Sequence, residues 1–129
     1  YFPLWSMLQT AIAATPPPDI DLELWQRSLD AIEAWQPAGL FLTHFGPVGA
    51  ARAHIANYRR VLATTGEVVA RSLTVGDTDE SRAAGFAAEM REAARRVLSE
   101  PEAVAVEQAA PFDQIWAGLA RYWRRKAVA

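Results

Sequence analysis

Apolar positions recur at three- and four-residue steps over most of the chain, as in helices that bury one face. Leu22, Trp25, Leu29 and Ile32 form the first such stripe, with Asp21 as its N-cap, Glu23 in its first turn and an end before Pro37. A longer stripe follows in Val48, Ala51, Ile55, Tyr58, Leu62, Val69 and Leu73, spaced for helix-on-helix packing, and Gly66 is its one candidate interruption. After a loop at residues 76–79, where Asp77 and Glu80 have capping-box spacing, a helix is expected over residues 79–99 that buries Phe86, Met90, Ala94 and Val97. Ser99 and Glu102 repeat the box for a further helix, with Pro101 in its first turn. Phe112, Ile115, Trp116, Leu119, Tyr122 and Trp123 line a last helix, and its basic end (Arg121, Arg124, Arg125, Lys126) suits the negative end of the helix dipole.

One segment reads as a strand. Residues 39–43, Gly-Leu-Phe-Leu-Thr, are apolar on both faces and bounded by Pro37 and Gly46, the pattern of a buried strand. Gly46 and Pro47 read as a turn into the long helix. A lone strand has nothing to pair with, so the rest of its sheet is expected elsewhere. Residues 1–15 are apolar, and Phe2, Leu4, Trp5, Leu8 and Ile12 need a partner surface. Pro16, Pro17 and Pro18 then make a stiff, extended connector. The expected fold is mainly α, a helical bundle with at most one or two short strands. It divides into an apolar arm (residues 1–15), a helix–strand segment (16–46) and a helical region (47–129).

Composition narrows the chemistry. The absence of cysteine excludes disulfides, thiolate zinc sites and cysteine nucleophiles. A net charge of -2 gives no electrostatic footprint for nucleic acid, and the basic helix end reads as solvated surface. Residues 2–14 are too short and interrupted to span a bilayer, and no basic region precedes them as in a signal peptide. The expected location is cytoplasmic. The serines fit no nucleophile-elbow pattern and the glycines no phosphate loop.

The constellation that remains is Thr43-His44-Phe45-Gly46-Pro47. A His at the end of a buried strand, before a glycine turn, is held by rigid backbone at the sheet edge where open sheets present ligands. A neutral imidazole there is a candidate zinc ligand. The alternative is a His that caps the strand and bonds to backbone. Spacing alone favours that alternative, because zinc needs three or four ligands. His54, on the following helix, is offset from the Ile55 stripe, which suits a surface or outer-sphere role rather than ligation. Asp19, Asp21, Asp30 and Glu33 are the carboxylates nearest in sequence, with simpler roles as caps or solvated helix residues.

Three strings together resemble the late portion of metallo-β-lactamase-fold hydrolases: residues 17–25 (Pro-Pro-Asp-Ile-Asp-Leu-Glu-Leu-Trp), residues 28–30 (Ser-Leu-Asp), and residues 40–47 (Leu-Phe-Leu-Thr-His-Phe-Gly-Pro). The ending Gly118-Leu119-Ala120-Arg121-Tyr122-Trp123 is similar to the C-terminal helix of some members. The resemblance covers residues 16–58 most closely. It implies the C-terminal part of an αββα sandwich, His44 as a ligand of a dinuclear zinc or other divalent-metal site, and hydrolysis by a metal-activated hydroxide. The family's His-x-His-x-Asp-His cluster is absent, so the implied activity requires an upstream αββα portion as partner and is not carried by this chain alone. A reading from a different class makes the chain a non-catalytic helical module, self-associating through its apolar arm and the stripe of residues 48–73. A homodimer is compatible with both.

Overall fold

The computed structural model describes residues 13–17, 20–42 and 46–128. The chain is mainly α, a helical bundle with one small antiparallel ribbon. In order its elements are α1 (Leu22–Ala34), β1 (Leu40–Leu42), β2 (Gly46–Val48), α2 (Ala51–Ser72), α3 (Asp79–Val97), α4 (Glu100–Ala109) and α5 (Phe112–Val128).

Helix α5 organises the core. Its apolar stripe turns Phe112, Ile115, Trp116, Leu119 and Tyr122 inward, and it packs against both α2 and α3. From α2 come Val61, Leu62 and Val69, and from α3 Phe86, Met90 and Ala94, all buried. Full burial of a Leu such as Leu62 or Leu119 contributes about 1.5–3 kcal/mol. Two indoles tie the layers with polar bonds as well. Trp123 Nε1 donates to the Gly66 carbonyl at 2.8 Å, and Trp116 Nε1 donates to Ser72 Oγ at 2.9 Å. Helix α4 packs on α3, and α1 packs on α2 from outside. No residue of α1 is fully buried; Leu22 and Trp25 lean on the core at half-burial.

The local signals account for most helix ends. The Asp21 carboxylate accepts from the Leu24 N–H at 2.9 Å, so α1 starts where a capped helix should. Past its end, Gln36 adopts φ 50°, a left-handed position usually given to Gly or Asn, and Pro37 follows. Ser99 and Glu102 form the expected reciprocal box at α4, with Pro101 in the first turn.

Several expectations are corrected. The strand is not alone: β1 pairs antiparallel with β2 in the register Leu40↔Val48, Phe41↔Pro47 and Leu42↔Gly46. Gly46 and Pro47 are therefore strand residues rather than a turn into the helix, and α2 begins at Ala51 instead of Val48. A proline is tolerated in β2 because a two-stranded ribbon has free outer edges, where the missing N–H breaks no ladder bond. Gly66 does not interrupt α2, since the tertiary bond from Trp123 and the contact with Leu22 hold that turn helical. At α3 the cap is Thr78, whose hydroxyl accepts from Ser81 N–H at 3.2 Å. Asp77 instead accepts from Thr78 N–H and Ser81 Oγ, one residue out of register with the expected box. The described end of the apolar arm does find a partner surface, within the chain itself. Ala13 and Thr15 are buried against α5, and Thr15 Oγ1 donates to the Ile115 carbonyl at 3.2 Å. The remainder of the arm, residues 1–12, lies outside the described residues.

The long stripe is spent inside the molecule. Leu62 and Val69 belong to the buried core together with residues of α3 and α5, and Ile55 is buried as well.

Candidate functional site

The ribbon residues Leu40, Phe41, Pro47 and Val48 are not part of the buried helical core. Phe41 is 80 % exposed, and Trp35, just past α1, is 79 % exposed. Among the described residues these are the large aromatic side chains that the core leaves most exposed. Residues 43–45 connect β1 to β2, so His44, the candidate metal ligand, falls in this connection and lies outside the described residues.

His54 sits in the second turn of α2 at half-burial, and its backbone N–H donates to the Ala50 carbonyl at 2.9 Å. The start of α2 has no side-chain cap, because Ala50 cannot supply one. Beside it Pro37, Ala38, Gly49 and Ala50 border an open groove of about 610 Å³, with Arg52 on its rim. The groove is made of small residues because two backbone segments, the α1–β1 connection and the β2–α2 connection, run close together there. No sequence pattern marked it, since it arises from packing and not from periodicity.

The carboxylates near this region are engaged elsewhere. Asp21 caps α1. Asp30 and Glu33, read as solvated, face Arg59 of α2 across the helix pair. Arg59 Nη1 donates to Gln26 Oε1 at 3.1 Å. Its Nη2 is 2.7 Å from Asp30 Oδ1 but out of line for a hydrogen bond, so that attraction is an ion pair. Asp19 lies outside the described residues. The zinc implied by the resemblance needs three or four donors. Among the described residues no group of three or more His, Cys, Asp or Glu side chains could hold a metal ion. The described residues thus do not fit that site, and no chemical step through a metal follows from them.

A second titratable cluster joins the two ends of the fold. Glu23, in the first turn of α1, accepts from the Tyr122 hydroxyl at 2.5 Å and from the Lys126 ammonium in α5. The Lys126 bond, followed by the Tyr122 bond, holds the Glu23 carboxyl down at about 2. The ammonium also lies 5.7 Å from the ring centres of Tyr122 and Trp123, within cation–π reach. A similar exposed pair joins α3 to α5. Arg124 grips Asp79 with two bonds of 2.7 Å and, with Arg82, lowers its carboxyl to about 2. The basic end of α5 is thus partly neutralised within the chain. Both clusters fix helices relative to one another, with bonds geared to holding ionised carboxylates rather than to moving protons.

Among the described residues no helix is long and apolar enough to cross a membrane. No protein-family model matches the chain, and comparison with curated proteins and with solved structures returns no match.

Proposed function

We propose that this chain is the C-terminal segment of a metal-dependent hydrolase of the metallo-β-lactamase superfamily, contributing His44 as one ligand and depending on an upstream αββα portion for the rest. The observation that carries this reading is the run of α1, an apolar strand β1 and then His44 along the chain, with Leu40 and Phe41 outside the helical core and Phe41 exposed. A strand apolar on both faces is a strand that a larger, covered sheet would bury. In this reading α2 to α5 form a cover over one side of the parent's sheet. The chain alone is not catalytically competent.

The test is elemental analysis of the purified chain after dialysis against trace zinc or another divalent metal, alone and joined to the upstream portion. The chain alone is expected to hold almost none; the joined protein is expected to hold metal, and His44→Ala to lower its content. One or two tightly held metals in the chain alone overturns the dependence on upstream ligands. Unchanged metal content in the joined His44→Ala protein overturns the ligand assignment.

A further inference from the structure

Pro47 determines which edge of the ribbon is open. In an antiparallel pair, opposed residues alternate between exchanging two backbone hydrogen bonds and exchanging none. Pro47 has no N–H, so the Phe41↔Pro47 pair is the one without mutual bonds. The bonds of the ribbon then belong to Leu40↔Val48 and Leu42↔Gly46, and the N–H and C=O of Phe41 point away from β2. Among the described residues neither group has a partner, and Phe41 is 80 % exposed.

The two edges differ in their protection. Exposed strand edges are ordinarily guarded by proline, charge or a bulge against pairing with another chain. On β2 the guard is Pro47 itself. On β1 there is none: residues 34–51 contain no Asp, Glu, Lys or Arg. A two-stranded ribbon of three-residue strands is marginal in water and gains from a third strand.

We propose that two copies of this chain pair antiparallel through the outer edges of β1, about a two-fold axis at Phe41. The axis sets each Phe41 N–H against the other copy's Phe41 C=O, a self-complementary arrangement that closes at two copies. The result is a four-stranded sheet in the order β2–β1–β1–β2, with the two Phe41 rings neighbours on one face. Pairing of β1 with another copy's β2 would run into Pro47 and lose a bond, which disfavours an open chain of molecules. No charge near the edge opposes the approach of a second copy. This dimer needs no metal, and it uses the edge of β1 that a larger parent sheet would otherwise cover, so it concerns the chain without that upstream portion, whereas the hydrolase reading is tested by the metal content of the joined protein.

Sedimentation equilibrium over a wide concentration series tests the proposal, with Phe41→Lys and Phe41→Pro as variants. Phe41 lies outside the core, so the helical circular-dichroism signal and thermal midpoint of either variant should match those of the dilute unsubstituted chain. The unsubstituted chain is expected to dimerise, with Phe41 amide exchange slowing as concentration rises. Phe41→Pro should weaken the dimer roughly thirtyfold, the worth of the two backbone hydrogen bonds it removes, and Phe41→Lys should weaken it by setting two like charges side by side in place of the paired rings. An unsubstituted chain that stays monomeric overturns the proposal, even if an added extended peptide binds the edge. A dimer that survives both substitutions puts the contact elsewhere and overturns it equally.

Discussion

Gly118 and Thr15 meet backbone to backbone: a Cβ on Gly118 would stand 1.8 Å from the Thr15 carbonyl oxygen. Within α5 alone, Gly118→Ala should stabilise the helix by about 0.5–1 kcal/mol. Here the obstacle is main chain and cannot rotate away, so the segment carrying Thr15 must lift from α5 and give up its bond to Ile115. We expect a net loss of about 1–3 kcal/mol, read as a lower midpoint in thermal denaturation. A raised midpoint would show that the segment does not rest on α5.

Leu62 is fully buried where α2 meets α5. Leu62→Ala should cost about 2–5 kcal/mol in chemical denaturation. Once folded protein is compared with folded protein, its dimerisation should match that of the unsubstituted chain. A shift in association with little loss of stability would mean that the long stripe faces a partner instead of the core.

The Glu23 and Asp79 carboxyls ionise near 2 when folded, against ordinary values of 4.5 and 3.8. Because the folded values are the lower ones, each pair contributes stability above its ordinary value. That contribution is lost as pH falls through about 2. Both pairs are solvent-exposed, so the effect is modest and weakens with salt. Thermal midpoints measured from neutral to acid pH should fall across this window, and the fall should be shallower in Glu23→Gln and Asp79→Asn. Identical acid limbs in all three proteins would remove the two pairs as the cause.

Gln36 takes a left-handed backbone conformation that costs a residue with a Cβ about 1–2 kcal/mol. Gln36→Gly relieves that cost but gives the unfolded chain more freedom. The expected outcome is a gain of up to about 1 kcal/mol in urea unfolding. A loss would indicate that the Gln36 side chain contributes more than its backbone costs.

What could be read in advance was local. The Asp21 cap, the Ser99–Glu102 box and the stripes of α2, α3 and α5 each lie within a few turns, and the structure reproduces them. The cap of α3 shifted by one residue because Asp77 bonds to the Ser81 hydroxyl while Thr78 takes the helix N–H. Strand β2 was missed because three residues containing a proline carry no periodicity, and only pairing with β1 makes them a strand. The Glu23–Lys126 bond spans nearly the whole chain. Each partner had been read correctly as suited to its own helix dipole, yet nothing local announced that they meet. Nor does anything local announce that Arg59 meets Asp30. His44 is singled out only by the string of residues around it and lies outside the described residues, while Asp21, Asp30 and Glu33 are engaged in a cap and ion pairs.

Three consecutive prolines look like a place where a chain could be cut or hinged without harm. The crossing of residues 13–17 over α5 makes this a poor place to divide the protein. A truncation that began after Pro18 would uncover the α5 surface under Ala13 and Thr15, and a partner tethered upstream would pull on Gly118 before it pulled on α1. Tension applied at the front of the chain is therefore delivered first to its last helix.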